Sequence, residues 1–226
     1  MLRLALATAL LMLSLAPLPA HAAGKLGLYV IYMEPNGADA ENYGEGAFGY
    51  GGHVVAPLPR PFHPLAGVFV VENVDLKSSV HGFHEEITGL YMEQHTRQRY
   101  TRIAVGAELG GHGTGFFRPH IGMNLAAINY GYSIDIVIPD DYDEEDDVQQ
   151  CIDERDRWVF GQDVTAGVDL RVSRILSFDL ALRYLKSYDV PVELGRDWVK
   201  VSPEYFQVYL GIGVAFDAFS TTPRDD

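Results

Sequence analysis

The chain has 226 residues, a formal charge of −14 and a single cysteine, Cys151. That length suits one domain, the acidity excludes a nucleic-acid binder, and one cysteine excludes an internal disulfide. An acidic surface remains compatible with cation collection or with simple solvation.

Residues 1–22 read as a cleaved signal peptide. Arg3 supplies the positive start, Leu4 to Ala16 the apolar run, and Ala20-His21-Ala22 a small-x-small cleavage site. The run is short against the roughly 20 residues of a spanning helix. Residues 23–226 then form the mature domain, one unit more negative once Arg3 leaves. No later stretch is apolar long enough to span as a helix, which does not exclude a membrane, because barrel walls alternate.

In chain order the pattern predicts eight strands, near 25–34, 47–58, 65–76, 98–109, 116–131, 157–172, 177–188 and 204–217. Segments 59–64, 110–115 and 173–176 are short connections. Segments 35–46, 77–97, 132–156 and 189–203 are longer and mostly polar. Short and long alternate strictly, which in an up-and-down barrel puts every short turn at one end. The expected fold is all-β, an eight-stranded antiparallel transmembrane barrel with short periplasmic turns and longer extracellular loops.

Which face meets lipid follows from composition. In the sixth strand Trp158, Phe160, Val164, Val168, Leu170 and Val172 oppose Gly161, Asp163, Thr165, Gly167, Asp169 and Arg171. The seventh sets Phe178, Leu180, Leu182 and Tyr184 against Asp179, Ala181 and Arg183. The eighth sets Phe206, Val208, Leu210, Ile212, Val214 and Phe216 against Gln207, Tyr209, Gly211, Gly213 and Ala215. The polar faces mix opposite charges with small residues, as a narrow filled bore requires. The chain has four lysines, none on the polar faces of strands four to seven, where a solvated exterior would use them.

The expected lumenal ion-pair network is therefore Arg102, Glu108, Arg118, His120, Asp163, Asp169, Arg171, Asp179 and Arg183. Arg102, Arg118, Arg171 and Arg183 would be neutralised by Glu108, Asp163, Asp169 and Asp179. The expected interface aromatics are Trp158, Phe160, Tyr184 and Phe206 at the long-loop end, with Phe117, Phe178 and Phe216 at the short-turn end. Glu72 falls on the parity of Val68, Val70 and Val74, read here as lipid-facing, so it is placed near the interface or beside a bulge.

With these residues in view the chain resembles the small eight-stranded bacterial outer-membrane barrels, those like the membrane domain of outer membrane protein A. The resemblance covers residues 25–217. Tyr209-Leu210-Gly211-Ile212-Gly213-Val214-Ala215-Phe216 looks like the signal read by the barrel insertion machinery, although Asp217 to Asp226 follow where such proteins commonly end on an aromatic. It implies outer-membrane lipid and that machinery as partners, and location more than activity. A monomer is expected.

Other motifs read blandly. Residues 140–147 carry seven carboxylates in eight positions, a solvated loop with no EF-hand spacing, though a divalent cation is conceivable there. Ser78, His81, His84, Glu85 and Glu86 share a long loop without a nucleophile elbow or zincin spacing. Gly49, Gly51 and Gly52 lack the Lys-Ser/Thr of a phosphate loop and let a strand bend or admit a bulky neighbour. Cys151 reads as an unpaired loop thiol in acidic surroundings. The expectation is a non-catalytic barrel without cofactor, in a structural, surface-interaction or envelope-maintenance role. The rivals are a narrow solute or ion channel, a lipid-modifying enzyme, and a soluble lipocalin-like carrier.

Overall fold

In the computed structural model, residues 24–41, 46–58, 62, 64–84, 91–111, 115–139, 148–194 and 197–215 are described. The expected signal segment 1–22, the acidic run 140–147, Glu85, Glu86, Phe216 and the tail lie outside them. The strands are β1 (Lys25–Asn36), β2 (Ala47–Pro57), β3 (Leu65–His84), β4 (Tyr91–Gly110), β5 (Phe117–Ile138), β6 (Val148–Arg171), β7 (Leu176–Ser187), β8 (Val190–Leu194), β9 (Asp197–Val201) and β10 (Glu204–Ala215). One short helix, α1 (Ala38–Glu41), follows β1.

Eight strands close into an antiparallel barrel in the order β1-β10-β7-β6-β5-β4-β3-β2. The seam joins the two ends of the chain in continuous register, from Lys25 opposite Ala215 to Asn36 opposite Glu204. Closure pairs both edges of each strand around the barrel wall, which is the condition for a sheet surrounded by hydrocarbon.

Local chemistry sets the short turns. Between β4 and β5, Gly110 and Gly111 adopt φ of +92° and +76°, a region costly for any residue with a Cβ. The Gly111 amide then donates to the Pro119 carbonyl at 3.2 Å. Between β6 and β7, Ser173 Oγ accepts from the amides of Ile175 and Leu176 at 3.2 and 3.0 Å.

The long connections differ from expectation. β3 and β4 run on as a paired ladder to His84 and Tyr91, and β5 and β6 to Ile138 and Val148. Most of 77–97 and 132–156 is therefore strand, not loop, with bulges at Asp75/Lys77 and Ile134/Asp135. Segment 35–46 holds α1, and 189–203 folds as a separate β8–β9 hairpin. The barrel is tall on the β3–β6 side and short on the other.

Candidate functional site

Side chains divide cleanly between the two faces of the barrel wall. Large apolar residues from every barrel strand stand exposed on the outside, among them Leu28 (68%), Leu182 (62%), Leu210 (55%) and Leu180 (52%). The register lines them up laterally: Val30, Leu210, Leu180 and Val168 are successive cross-strand neighbours. Such a continuous apolar girdle far exceeds what a water-facing surface tolerates, and it suits hydrocarbon.

The aromatics sit at its rims. Phe117 and Phe178 are exposed at the short-turn end, where both flank Leu170 across β6. Trp158, Phe160 and Phe206 are exposed towards the other end, and the Tyr184 ring lies 5.3 Å from that of Phe206. Tyr32 and Phe48 add a pair at 5.0 Å that the weaker alternation of the first strands concealed.

The bore is filled by three layers. At the waist Glu72 accepts from Arg183 Nη1 at 2.6 Å and from Gln207 at 3.1 Å, and lies 3.1 Å from Arg102 Nη1. Arg102 also pairs with Asp163, which accepts from Asn124 at 2.7 Å. Nearer the short turns, Lys25 bridges Asp169 and Asp179 at 2.6 and 3.1 Å. His120 bridges Glu108 and Asp179 at 3.2 and 3.1 Å, and Arg118 reaches Asp169 at 2.8 Å.

The third layer, towards the tall end, is apolar and aromatic. Ile31, Met33, Ile128 and Leu185 pack beneath Tyr100, Tyr130 and Tyr205, whose ring centroids lie 5.7 and 6.2 Å apart around Tyr100. Val190 of β8 and Ala40 of α1 join the same cluster, and the Ser202 amide donates to Asp39 at 3.1 Å. The hairpin and helix thus cap the short side of the barrel.

Of the nine residues expected in the bore, eight take part in these contacts and one does not. Arg171 keeps the inward parity, but it stands at the rim of β6. There its guanidinium donates to the carbonyls of Ser173 and Arg174 at 3.1 and 3.2 Å and braces the turn. Parity predicts a face but not a depth. The expected partners also change: Asp179 serves His120 and Lys25, while Arg183 uses Glu72 and lies 3.5 Å from Asp163.

Glu72 is the second correction. It is 1% exposed and central, not at the lipid interface. β3 is apolar on both faces, with Val68, Val70 and Val74 inward and Phe69 and Val71 on the other parity, so alternation alone could not orient it. The available signal was its cross-strand partner, since Glu72 stands opposite Arg102. Lys25 and His53 were likewise missed, Lys25 as the lone charged residue on its strand face and His53 as the lone titratable one. Asn124, Thr165 and Gln207 have the inward parity but, being uncharged, fell outside the expected ion-pair network.

Gly51 faces inward, where an added Cβ would come within 2.8 Å of both the Tyr29 ring and the Glu72 Cβ; its lack of a side chain admits that bulky neighbour. A cavity of about 20 Å³ remains between His53, Asn124, Thr165 and Arg183, about what one water molecule occupies.

The remaining chemistry-bearing residues do not converge. Ser78, His81 and His84 belong to β3, not to a loop, and alternation puts Ser78 and His84 on one face and His81 on the other. Cys151 is also in a strand, exposed opposite Asp135. Among the described residues no group of three or more His, Cys, Asp or Glu side chains is arranged to hold a metal ion.

No protein-family model matches the chain, and no curated protein matches it in sequence. Solved structures do match in shape. The structure of Neisserial surface protein A is 11% identical with a TM-score of 0.50, covering 85% of this chain and 97% of that one. A major outer membrane protein from Thermus thermophilus is 12% identical at 0.47, covering 86% and 100%. Ail, the attachment invasion locus protein of Yersinia pestis, is 11% identical at 0.44, covering 86% and 97%. The chain has the fold of the small eight-stranded outer-membrane barrels.

Proposed function

We propose that this chain is an integral protein of the bacterial outer membrane: a closed, non-catalytic barrel that holds a tall external sheet in place for structural, surface-interaction or envelope-maintenance work. One observation carries this reading. The apolar girdle spans all eight barrel strands, and the bore behind it is closed by charge pairs and an aromatic layer. A carrier of apolar ligands would invert that arrangement, with a greasy cavity inside and charges outside.

The short turns face the periplasm and the tall β3–β6 hairpins face outward, the asymmetry usual for such barrels. Lipid surrounds the girdle, and the insertion machinery reads the last strand during assembly. The closed seam leaves no barrel edge within the girdle for a second copy to extend, which supports a monomer in the membrane. No cofactor is invoked.

Two measurements test this. The membrane fraction should show heat-modifiable gel migration, folded protein running compact until boiled; a band that never shifts removes the membrane reading. Purified protein in a planar bilayer should pass no steady ionic current. Step-like conductance would replace the closed barrel with a channel, and a changed lipid A profile in cells carrying the protein would replace it with an enzyme.

A further inference from the structure

One surface feature has no role in closing the bore or meeting hydrocarbon. On the outer face of β4, β5 and β6 a cleft of about 160 Å³ is lined by Arg97, Arg99, Thr101, Ser133, Glu154 and Asp156. The register orders it in rows. Arg97, Ser133 and Glu154 form one row, Arg99, Gly131 and Asp156 the next, and Thr101, Asn129 and Trp158 the last before the apolar Ile103, Ala127 and Phe160.

Gly131 forms the floor. A Cβ there would stand 3.1 Å from Asp156 Oδ1 and 3.6 Å from Arg99 Cβ, so its lack of a side chain keeps the two walls apart. The arginine wall and the carboxylate wall stand on β4 and β6, two strand spacings or about 9.5 Å apart. Among the described residues, neither Arg97 nor Arg99 is in an ion pair, whereas the buried Arg102 and Arg183 of the bore each have two carboxylate partners.

Depth identifies the ligand. Arg99 lies only four residues beyond Ile103 of the girdle, roughly 13 Å along the strand and less along the membrane normal because barrel strands tilt. Trp158, in the row between, is the side chain expected at the level of lipid headgroups. Two guanidinium groups at that depth match a phosphate, and two carboxylates across the cleft match a cation tethered to it.

We infer that the cleft between β4 and β6 binds a phosphoethanolamine headgroup of the surrounding lipid, the phosphate on Arg97 and Arg99 and the ammonium on Glu154 and Asp156. The group has two sources, a phosphoethanolamine phospholipid and a glycolipid whose phosphate carries ethanolamine. A trimethylated ammonium cannot donate to carboxylates, and a glycerol headgroup has no cation, so the cleft discriminates against both. The inference rests on the outer-membrane reading above, since depth against the girdle defines the ligand.

The test is native mass spectrometry of the detergent-solubilised full chain after titration with phosphatidylethanolamine, phosphatidylcholine or phosphatidylglycerol, and with lipid A bearing or lacking phosphoethanolamine. At least threefold more adduct is expected with ethanolamine-bearing lipids than with their counterparts, in the presence of EDTA. The arm that binds more tightly names the source. Both Arg97→Gln/Arg99→Gln and Glu154→Gln/Asp156→Asn should remove that preference, while Arg174→Gln, on the opposite short turn, should retain it.

Equal adducts with all lipids would overturn the site, as would a double variant indistinguishable from the parent. Phosphatidylglycerol uptake that requires magnesium would overturn it too, replacing the ammonium with a metal ion. Each sample is checked for heat-modifiable migration. A normal shift without lipid preference sinks the cleft alone, and an absent shift sinks the membrane reading beneath it.

Discussion

The two halves of β6 obey different rules. From Trp158 to Arg171 the strand alternates, with Val164 and Phe160 exposed outward and Asp163 and Asp169 buried inward. From Gln150 to Arg157 it is polar on both faces, apart from Ile152 at the bulge. Backbone pairing is continuous through both, so the ladder does not explain the change. The environment does. Alternation is imposed where hydrocarbon lies on one side and a packed bore on the other, and it disappears where water wets both faces.

The sharpest way to break this contrast is to attack the buried half at its centre. Glu72→Leu fills a similar space but leaves Arg102 and Arg183 with only Asp163 of the two carboxylates they share. A loss on the order of 3–5 kcal/mol is expected, as for removing one partner of a buried charge cluster. Urea titration in detergent measures it. A loss under about 1 kcal/mol would mean that the bore is hydrated and the charges screened.

Next comes the girdle. Leu180→Arg places a charge on the outer face in mid-wall and should cost about 2–4 kcal/mol, while Ser133→Arg, on the same face above the girdle, should cost under about 0.5 kcal/mol. Equal costs at the two positions, read by the same titration, would erase the boundary between the two regimes.

The smallest effect sharpens the wetted half. The Cys151 thiol is held above its ordinary pKa by local desolvation and then by its contact with the Asp135 carboxylate, so less thiolate is present at neutral pH. Asp135→Asn lowers that pKa and should speed maleimide labelling about two- to threefold at about pH 7.5. A membrane-impermeant maleimide should label intact cells. Protection of Cys151 until the cells are opened would reverse the assignment of inside and outside.

The same contrast explains how much was legible in the sequence. All eight barrel strands were found where at least one face is apolar, and their short-turn ends, such as Lys25, Leu65 and Gly110, fall close to the expected positions. The upper parts of β3 to β6 were read as loops because their residues, such as Ser78, Gln94, Arg97 and Asp156, carry no hydrophobic period. For the bore, parity placed Arg102, Asp163, Asp169, Asp179 and Arg183 inside, since their strands have one greasy face. Parity failed for Glu72, where both faces are apolar, and could not place Arg171 along the axis. The external cleft was illegible, because Arg97 and Asp156 come together only through the register of three strands.

The seam between β1 and β10 has a consequence for biogenesis. Its partners are separated by nearly the whole barrel domain, with Leu26 opposite Val214 and Tyr32 opposite Val208. A ribosome releases Tyr32 long before Val208 exists, so β1 must wait with one flank bare. Long-range pairing of this kind is slow and exposes the chain to aggregation in the interval. The barrel can therefore close only after its last strand is made, and loss of β10 alone should leave a species that is degraded rather than a smaller cylinder.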